Sequence, residues 1–428
     1  DTHTSGQEVT RDGETYYKIS AVDRMRPFFM SIVSHSDHWM FLSSNGGLSA
    51  GRVNSDHALF PYYTDDKITE GAETTGSKTI VLVEAADRRT LWQPFSNQDC
   101  GVYRIERNLY KNAYGNKVIF EETNHDLGLT FRYQWAASEH YGFVRQARLE
   151  STASAPVKVS VLDGIQNLLP HGIPEGLQRG SSNLVDAYKK CELEGGTLGL
   201  YALSAIISDK AEPSECLKSN VVWSVGFDAP TVLLCSKQLN TFRTGGDIET
   251  ETDIKAERGA YFIQSDFELA AGEGKDWMMV ADLGQSIRGV IQLKKDLQSP
   301  DQLRNTVLAD IEEGSERLIA LVAASDGLQL TADRRRNIRH FANTMFNIMR
   351  GGIFDENYTI ERADFMAYID RANHKVFFKK QEAMAAWPET FDLFFLHEQA
   401  AQAEDLNFKR LCAEYLPLKF SRRHGDPS

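Results

Sequence analysis

The stretch LGLTFRYQWAA, residues 127–137, constrains the fold more than any other part of this chain. Leu127, Leu129, Phe131, Tyr133 and Trp135 fall on one side of an extended backbone, and Thr130, Arg132 and Gln134 fall on the other. Successive side chains of a strand point to opposite faces, so this spacing marks a strand with one face on a core and one towards water. PVKVSVLDG repeats the pattern with Val157, Val159 and Val161, and KVIFEET follows the turn signal Tyr114-Gly115-Asn116. Further apolar runs (FFMSIVS, TIVLVEA, GVYRIERNLY, TVLLC, GAYFIQSDFEL, DWMMVADLG) are separated by Gly, Asn, Asp or Pro clusters. No regular strand–helix alternation intervenes. A doubly wound parallel sheet is therefore disfavoured, and a large antiparallel β-sandwich is expected over residues 16–298. Residues 1–15 read as a polar, mobile leader or the cut end of a longer chain, without an apolar signal core.

The pattern changes at Ser299-Pro300-Asp301. In PDQLRNTVLADI, Leu303, Val307, Leu308 and Ile311 keep helical spacing, and Pro300 and Asp301 suit a helix start. After Asp326-Gly327, a second helix places Ile338, Phe341, Met345 and Ile348 on one face, with Thr331 or Asp333 as its cap and Gly351-Gly352 as its end. Helical texture continues in ADFMAYIDRAN, KKQEAMAAW and LHEQAAQAEDLNFKRLCAEYL. The expected organisation is a sandwich, a helical linker over 299–332, and helical hairpins over 333–428. The last of these reads as a truncated helical domain.

Composition narrows the partners. The formal net charge is -13, which disfavours nucleic acid and anionic membranes, since both need a basic surface. No apolar run approaches the roughly 18 residues of a membrane span. The five cysteines are widely spaced and none forms a C-x-x-C pair. That argues against a disulfide framework or zinc knuckle, and for inert thiols in a reducing, cytoplasmic compartment.

SSNGGLSAGRVNSD, residues 43–56, nearly spells a phosphate-binding loop, with Gly46 and Gly51 at the right spacing. Arg52 stands where such a loop needs Lys, Val53 where it needs Ser or Thr, and no helical pattern follows. The glycines then read as turn residues, and the loop as plain turn or sugar-facing. Arg52, Asp56 and His57, with Asn45, Ser49 and Asn54, crowd near Phe60, Tyr62 and Tyr63. Sugars have polar edges and apolar C–H faces, so carbohydrate sites combine planar polar groups with aromatic platforms. His35, Asp37 and His38 do not make a metal site, because on a strand only the first two share a face. His125-Asp126, and Asp163 with His171, read as turn chemistry rather than acid–base pairs. Two loops after helices complete the substrate-binding candidates: Arg350 and Asp355 around a Gly-Gly break, and Arg423, His424 and Asp426 in SRRHGDPS. Two arginines, a histidine and an aspartate within five residues suit an anion or a polyol.

Taken together, this order of elements resembles the cellobiose-phosphorylase family of glycoside hydrolases. FLSSNGGLSAGRVNSDHALFPYYTDDKI and YGFVRQARLESTASAPVKVSVLDGIQNLLP resemble segments of that family's N-terminal sandwich. RHFANTMFNIMRGGIF and FSRRHGDPS resemble its lead into the barrel. The resemblance implies a galactose-mutarotase-like super-sandwich followed by a six-hairpin (α/α) barrel. It implies inverting phosphorolysis of β-glucosides, with an oligosaccharide and inorganic phosphate as substrates, no cofactor, and a homodimer as an open expectation. No Asp here matches the family's general acid, so no catalytic residue is assigned. The competing readings are a non-catalytic carbohydrate-binding module and a glycoside hydrolase of the same architecture.

Overall fold

The computed structural model describes all residues except 1–2, 86–87, 99, 205–217, 352, 355–358 and 420–428. Residues 1–316 form one compact unit and residues 317–421 another.

The first unit is built on three antiparallel sheets, as the alternation demands. The largest has eleven strands. In spatial order these are Ser5–Arg11, Glu14–Ser20, Ile105–Asn112, Val118–Asn124, Leu129–Ser138, Gly142–Ser151, Gly274–Ser286, Lys218–Val225, Leu198–Leu203, Lys189–Glu194 and Asp253–Lys255. A five-stranded sheet orders Thr231–Leu233, Gly259–Leu269, Val157–Leu168, Gly76–Ala85 and Arg88–Trp92. A four-stranded sheet runs through Phe29–Ile32, His38–Ser43, Leu48–Arg52 and Ala58–Phe60.

Leu129, Phe131, Tyr133 and Trp135 sit in the main core with Val81, Val83, Val159 and Val161 of the five-stranded sheet and Met40, Leu42 and Leu48 of the small sheet. The opposite face carries cross-strand polar bonds instead, from Thr130 with Thr123 and from Arg132 to Glu150. Where that outer face turns apolar, at Val144, Val221, Trp223, Met278 and Val280, Leu303, Val307 and Ile311 of the helix Pro300–Ala323 cover it. Polar bonds fix the same helix: Asn116 donates to Ser315 at 2.8 Å, Lys117 to Glu312 at 2.7 Å, and Ser138 and His140 both bond Asp310.

Two expectations change. Residues 1–15 are no leader from Ser5 onward, because Ser5–Arg11 pairs with Glu14–Ser20 as the edge hairpin of the large sheet. Asp12 and Gly13, at φ 48° and 82°, make the turn, and an Asp-Gly pair is among the strongest hairpin signals. Residues near 287–298 are not sandwich: Ile287–Asp296 is a helix, capped by Ser286, whose hydroxyl accepts from the Gly289 N–H.

In the second unit the helices are Arg334–Gly351, Arg362–Ala372, His374–Ala385, Leu393–Gln402 and Leu406–Glu414. Asp333, not Thr331, caps the first, accepting from the Arg336 N–H at 3.1 Å. The run LHEQAAQAEDLNFKRLCAEYL is divided between two helices, the second capped by Asp405, which accepts from Asn407 and Phe408. Phe365, Ile369, Met384, Leu396, Phe408 and Tyr415 form its own core, with Trp387 against Phe365, Phe391 and Phe395.

One charged pair lies inside the main core. Arg145 and Asp163 are both fully buried, and the guanidinium donates to both carboxylate oxygens at 2.6 and 3.0 Å. Ser77 accepts the remaining Arg145 Nε–H at 2.9 Å, while Thr79 and Trp277 each donate to Asp163 at 2.6 Å. The arginine also lies over the Tyr133 ring, 4.5 Å from its centroid. Breaking a buried pair leaves one charge uncompensated, so Arg145→Met is expected to cost about 3–5 kcal/mol in urea denaturation. Adding Asp163→Asn to it should recover part of that loss. A milder, pH-dependent link joins His140 to Asp310 at 2.6 Å. The hydrogen bond and charge of Asp310 hold the imidazole above its usual range. Burial pushes Asp310 up, but its bonds from Ser138 and His140 pull it further down. The link is therefore complete between those two values. It is lost as pH rises through the raised histidine value, and again as pH falls through the depressed aspartate value. The melting-temperature gap between wild type and His140→Ala should close on the alkaline side.

Candidate functional site

The Gly46 segment is a turn, with no helix directly after it. Gly46, at φ 95°, joins His38–Ser43 to Leu48–Arg52. Gly51 lies in the second strand, where a Cβ would stand 2.3 Å from the His57 carbonyl oxygen. Arg52 ends that strand and is an internal bracket. Nε donates to Asp37 at 2.9 Å, one terminal nitrogen to Asp282 at 3.0 Å, and the other to the Glu139 carbonyl at 2.9 Å. Burial works against its charge, but Asp282 and Asp37 outweigh it and hold the guanidinium protonated. Burial also pushes the Asp282 carboxyl up, and Arg52 pulls it back. Asp56 accepts the Glu175 N–H at 2.8 Å, and His57 bonds Asn54 at 2.7 Å. Arg350 is in the last turn of Arg334–Gly351. Asp355, Arg423, His424 and Asp426 lie outside the described residues.

The loop from Asp56 leads into a cavity of ≈ 460 Å³. Asp56 tethers the helix Glu175–Gly180, and the Tyr62 N–H donates to Gln178 on it. Tyr62 packs edge-on against buried Trp39, 5.4 Å between centroids, and Arg179 covers its ring. The apolar wall is Leu169, Ile173 and Val185, part of a buried cluster with Trp39, Phe41 and Ile68. Leu169 and Ile173 follow directly from the strand Val157–Leu168. That strand slips register between Gln166 and Leu168, at Asn167, whose φ is 60°. The bulge turns Asn167 into the cavity lining, where its amide donates to Thr75. Tyr63, Thr64 and Lys67 form another side.

The cavity lining has an unusual charge balance. Lys67, Arg179, Lys189 and Arg258 line it against a single carboxylate, Asp186. Lys189 bonds one Asp186 oxygen at 2.7 Å and Arg258 the other at 3.2 Å. Burial raises the Asp186 carboxyl, and these two cations more than reverse that. Lys67 and Arg179 pair with Glu70 and Glu175, which are not in the lining. A polyhydroxylated ring with a polar edge and an apolar face matches these walls, and ≈ 460 Å³ falls within the usual size of small-ligand sites. Sequence reasoning reached only Tyr62 and Tyr63 here.

A smaller pocket of ≈ 170 Å³ lies by Asn45 and Gly46 and includes Glu73, Lys78 and Arg107. Its groups are committed to one another. Glu73 accepts from Lys78 at 2.5 Å and Ser96 at 2.9 Å, and Arg107 donates to buried Glu122 at 2.7 Å. This is a framework rather than a vacant site. His35 bonds Glu139, Asp37 bonds Arg52 and His38 bonds Ser36, and no metal-holding cluster occurs among the described residues. Asp126 is bound by Arg104, and Asp163 by Arg145 rather than His171.

With that geometry in place, known proteins give one informative match. Residues 354–417 match the family model for glycoside hydrolase family 149 insertion domain 1. Over this span the chain is similar to glycoside hydrolases, which act on carbohydrates; the match does not single out cellobiose phosphorylases. No curated protein sequence matches. Among solved structures, a bacterial glucoamylase complexed with acarbose is 8% identical, with a TM-score of 0.45, over 93% of this chain and 52% of its own. A human-microbiome protein bearing the name kojibiose phosphorylase is 9% identical, with a TM-score of 0.36, over 82% of this chain and 40% of its own. A GalM/aldose epimerase homologue from C. elegans is 10% identical, with a TM-score of 0.37, over 61% of this chain and 100% of its own. The chain thus spans about half the length of the glucoamylase it matches. Among the described residues no helix is long and apolar enough to cross a membrane.

The bracket role of Arg52 makes a stability prediction. Arg52→Met strands the buried Asp282 carboxylate and should cost about 2–4 kcal/mol in urea denaturation. His57→Ala, which among the described residues gives up one side-chain hydrogen bond, to Asn54, should stay within about 0.5 kcal/mol of wild type.

Proposed function

We propose that this chain is the sandwich-bearing part of a carbohydrate-active enzyme that phosphorolyses β-glucosides with inversion, and that the cavity beside Tyr63 takes a sugar. The observation that carries the reading is the match of residues 354–417 to a glycoside hydrolase insertion domain. The cavity, with its apolar wall, tyrosine and planar polar groups, supports it. In this reading the hairpins of 354–417 are an insertion and not the first hairpins of the barrel. Arg52, Asp56 and His57 position the cavity's entrance, and Arg350, Asp355, Arg423, His424 and Asp426 bind an anion or polyol. Inorganic phosphate is a substrate. It attacks the anomeric carbon as the glycosidic oxygen leaves, protonated by one carboxylic acid. A second carboxylate to activate water, which an inverting hydrolase needs, is unnecessary because phosphate is already a nucleophile. None of the candidate residues here is assigned as that acid.

Two measurements test this. Titration calorimetry of the chain with β-linked gluco-oligosaccharides and their phosphorylated monomers should give heat with at least one of them. Absence of heat with all of them would remove the sugar cavity. The intact protein carrying this chain, incubated with β-linked glucose disaccharides, should release glucose 1-phosphate only when phosphate is supplied. Glucose release without phosphate would overturn phosphorolysis in favour of hydrolysis.

A further inference from the structure

The cavity's cations point to a ligand more specific than a neutral sugar. We propose that the cavity binds an anionic sugar, a pyranose bearing a phosphate or carboxylate group; this rests on the reading that the cavity takes a sugar. The apolar wall of Leu169, Ile173 and Val185, with Tyr63, meets the C–H face of the ring. The anion lies at the corner where Lys189 and Arg258 bracket Asp186.

Three observations support the charge. First, four cations line the cavity against one carboxylate, in a chain whose formal net charge is -13. A random surface of such a chain would show the opposite balance. Second, Lys189 is a built part of the site. Its side chain is only 5% exposed, and it is aligned by Asp186 at 2.7 Å. A buried ammonium is costly unless a fixed partner holds it, so its place in a cavity wall is specified by the fold. Third, Arg258 spends only its Nε on Asp186, and among the described residues its terminal nitrogens make no bond. A guanidinium with its terminal N–H groups free is suited to bidentate contact with phosphate or carboxylate. Asp186 serves both cations as an orienting group, and it neutralises only one of the two. Asn167 and Gln178 add amides to the lining, one N–H of each already given to Thr75 and to the Ile173 carbonyl.

The test is calorimetry on the full chain with four probes: glucose, glucose 1-phosphate, glucuronate and inorganic phosphate. At least one anionic sugar should bind about tenfold or more tighter than glucose, the effect of one charge-assisted hydrogen bond. Arg258→Gln and Lys67→Gln alter exposed side chains, so folding should persist, verified by an unchanged melting temperature. Arg258→Gln should weaken the anionic sugar about tenfold while leaving glucose unchanged, and Lys67→Gln should weaken it less. A preference for glucose 1-phosphate over glucuronate, or the reverse, identifies the anion, and either supports the proposal. Equal affinity for glucose and both anionic sugars would overturn it while leaving the sugar cavity standing. Inorganic phosphate binding as tightly as glucose 1-phosphate would overturn it as well, since the ring would then contribute nothing. Silence with all four, and with neutral oligosaccharides, would sink the sugar reading itself.

Discussion

The sandwich depends on the pairing of Arg145 with Asp163. Arg145 projects from the large sheet and Asp163 from the five-stranded sheet, so the ion pair ties one layer to the other through the middle of an apolar core. Hydrophobic burial between sheets is strong and non-directional: it fixes that the layers meet, but a sliding sheet loses little of it. A bidentate pair whose carboxylate also accepts from Thr79 and Trp277 is directional. Ser77 and Thr79 extend it to the next strand, and Trp277 returns it to the large sheet. A slip of either layer would leave a buried charge without its partner. Burying this pair costs desolvation, so its value lies in fixing the register of two sheets more than in added stability.

That register reaches the cavity through one strand. Val157–Leu168 carries Asp163 near its centre and the Asn167 bulge at its end. Asn167, Leu169 and Ile173 then form the cavity wall. The position of the apolar wall is thus set from within the core, by a bulge four residues along the chain from Asp163. The opposing groups arrive from other directions: Tyr63 and Lys67 after the small sheet, Lys189 on an outer strand of the large sheet, and Arg258 just before Gly259–Leu269. The cavity lies where all three sheets contribute, and so it needs all three to be held in place.

This explains what the sequence disclosed and what it did not. The strand of Phe131, Tyr133 and Trp135 was legible because period-2 spacing is a local property. The edge hairpin at Asp12-Gly13 was not read from the sequence: Ser5–Arg11 carries a single aliphatic side chain, Val9, so it passes for a polar leader, and the Asp-Gly turn alone marked the pairing. The Arg145–Asp163 pair left a trace. Phe143, Arg145, Ala147 and Leu149 share one phase, as do Val159, Val161, Asp163 and Ile165, with one opposite charge in each apolar file. Reading those two charges as partners requires knowing that the files face each other. Arg52 was misleading for the same reason. Its loop is glycine-rich and polar, yet its acceptors Glu139 and Asp282 lie far along the chain. Tyr62 and Tyr63 were found because aromatics beside a polar turn stand out locally. Lys189 and Arg258, separated by most of a sheet, do not.

Net charge illustrates the same limit. A formal charge of -13 bears on extended anionic partners, which sample much of the surface at once. A small anion inside a cavity samples a few ångströms. At physiological ionic strength the Debye length is about 8 Å, so carboxylates elsewhere on the surface are largely screened from it. What it meets is the local set: Lys67 with its neighbour Glu70, Arg179 with Glu175, and Lys189 and Arg258 sharing the one carboxylate of the lining, Asp186. Excess negative charge over the rest of the molecule is compatible with a cationic cavity, and it would repel large polyanions that might otherwise compete for those same four side chains. The acidic composition and the basic pocket then act in one direction, towards selection of small anions over long ones.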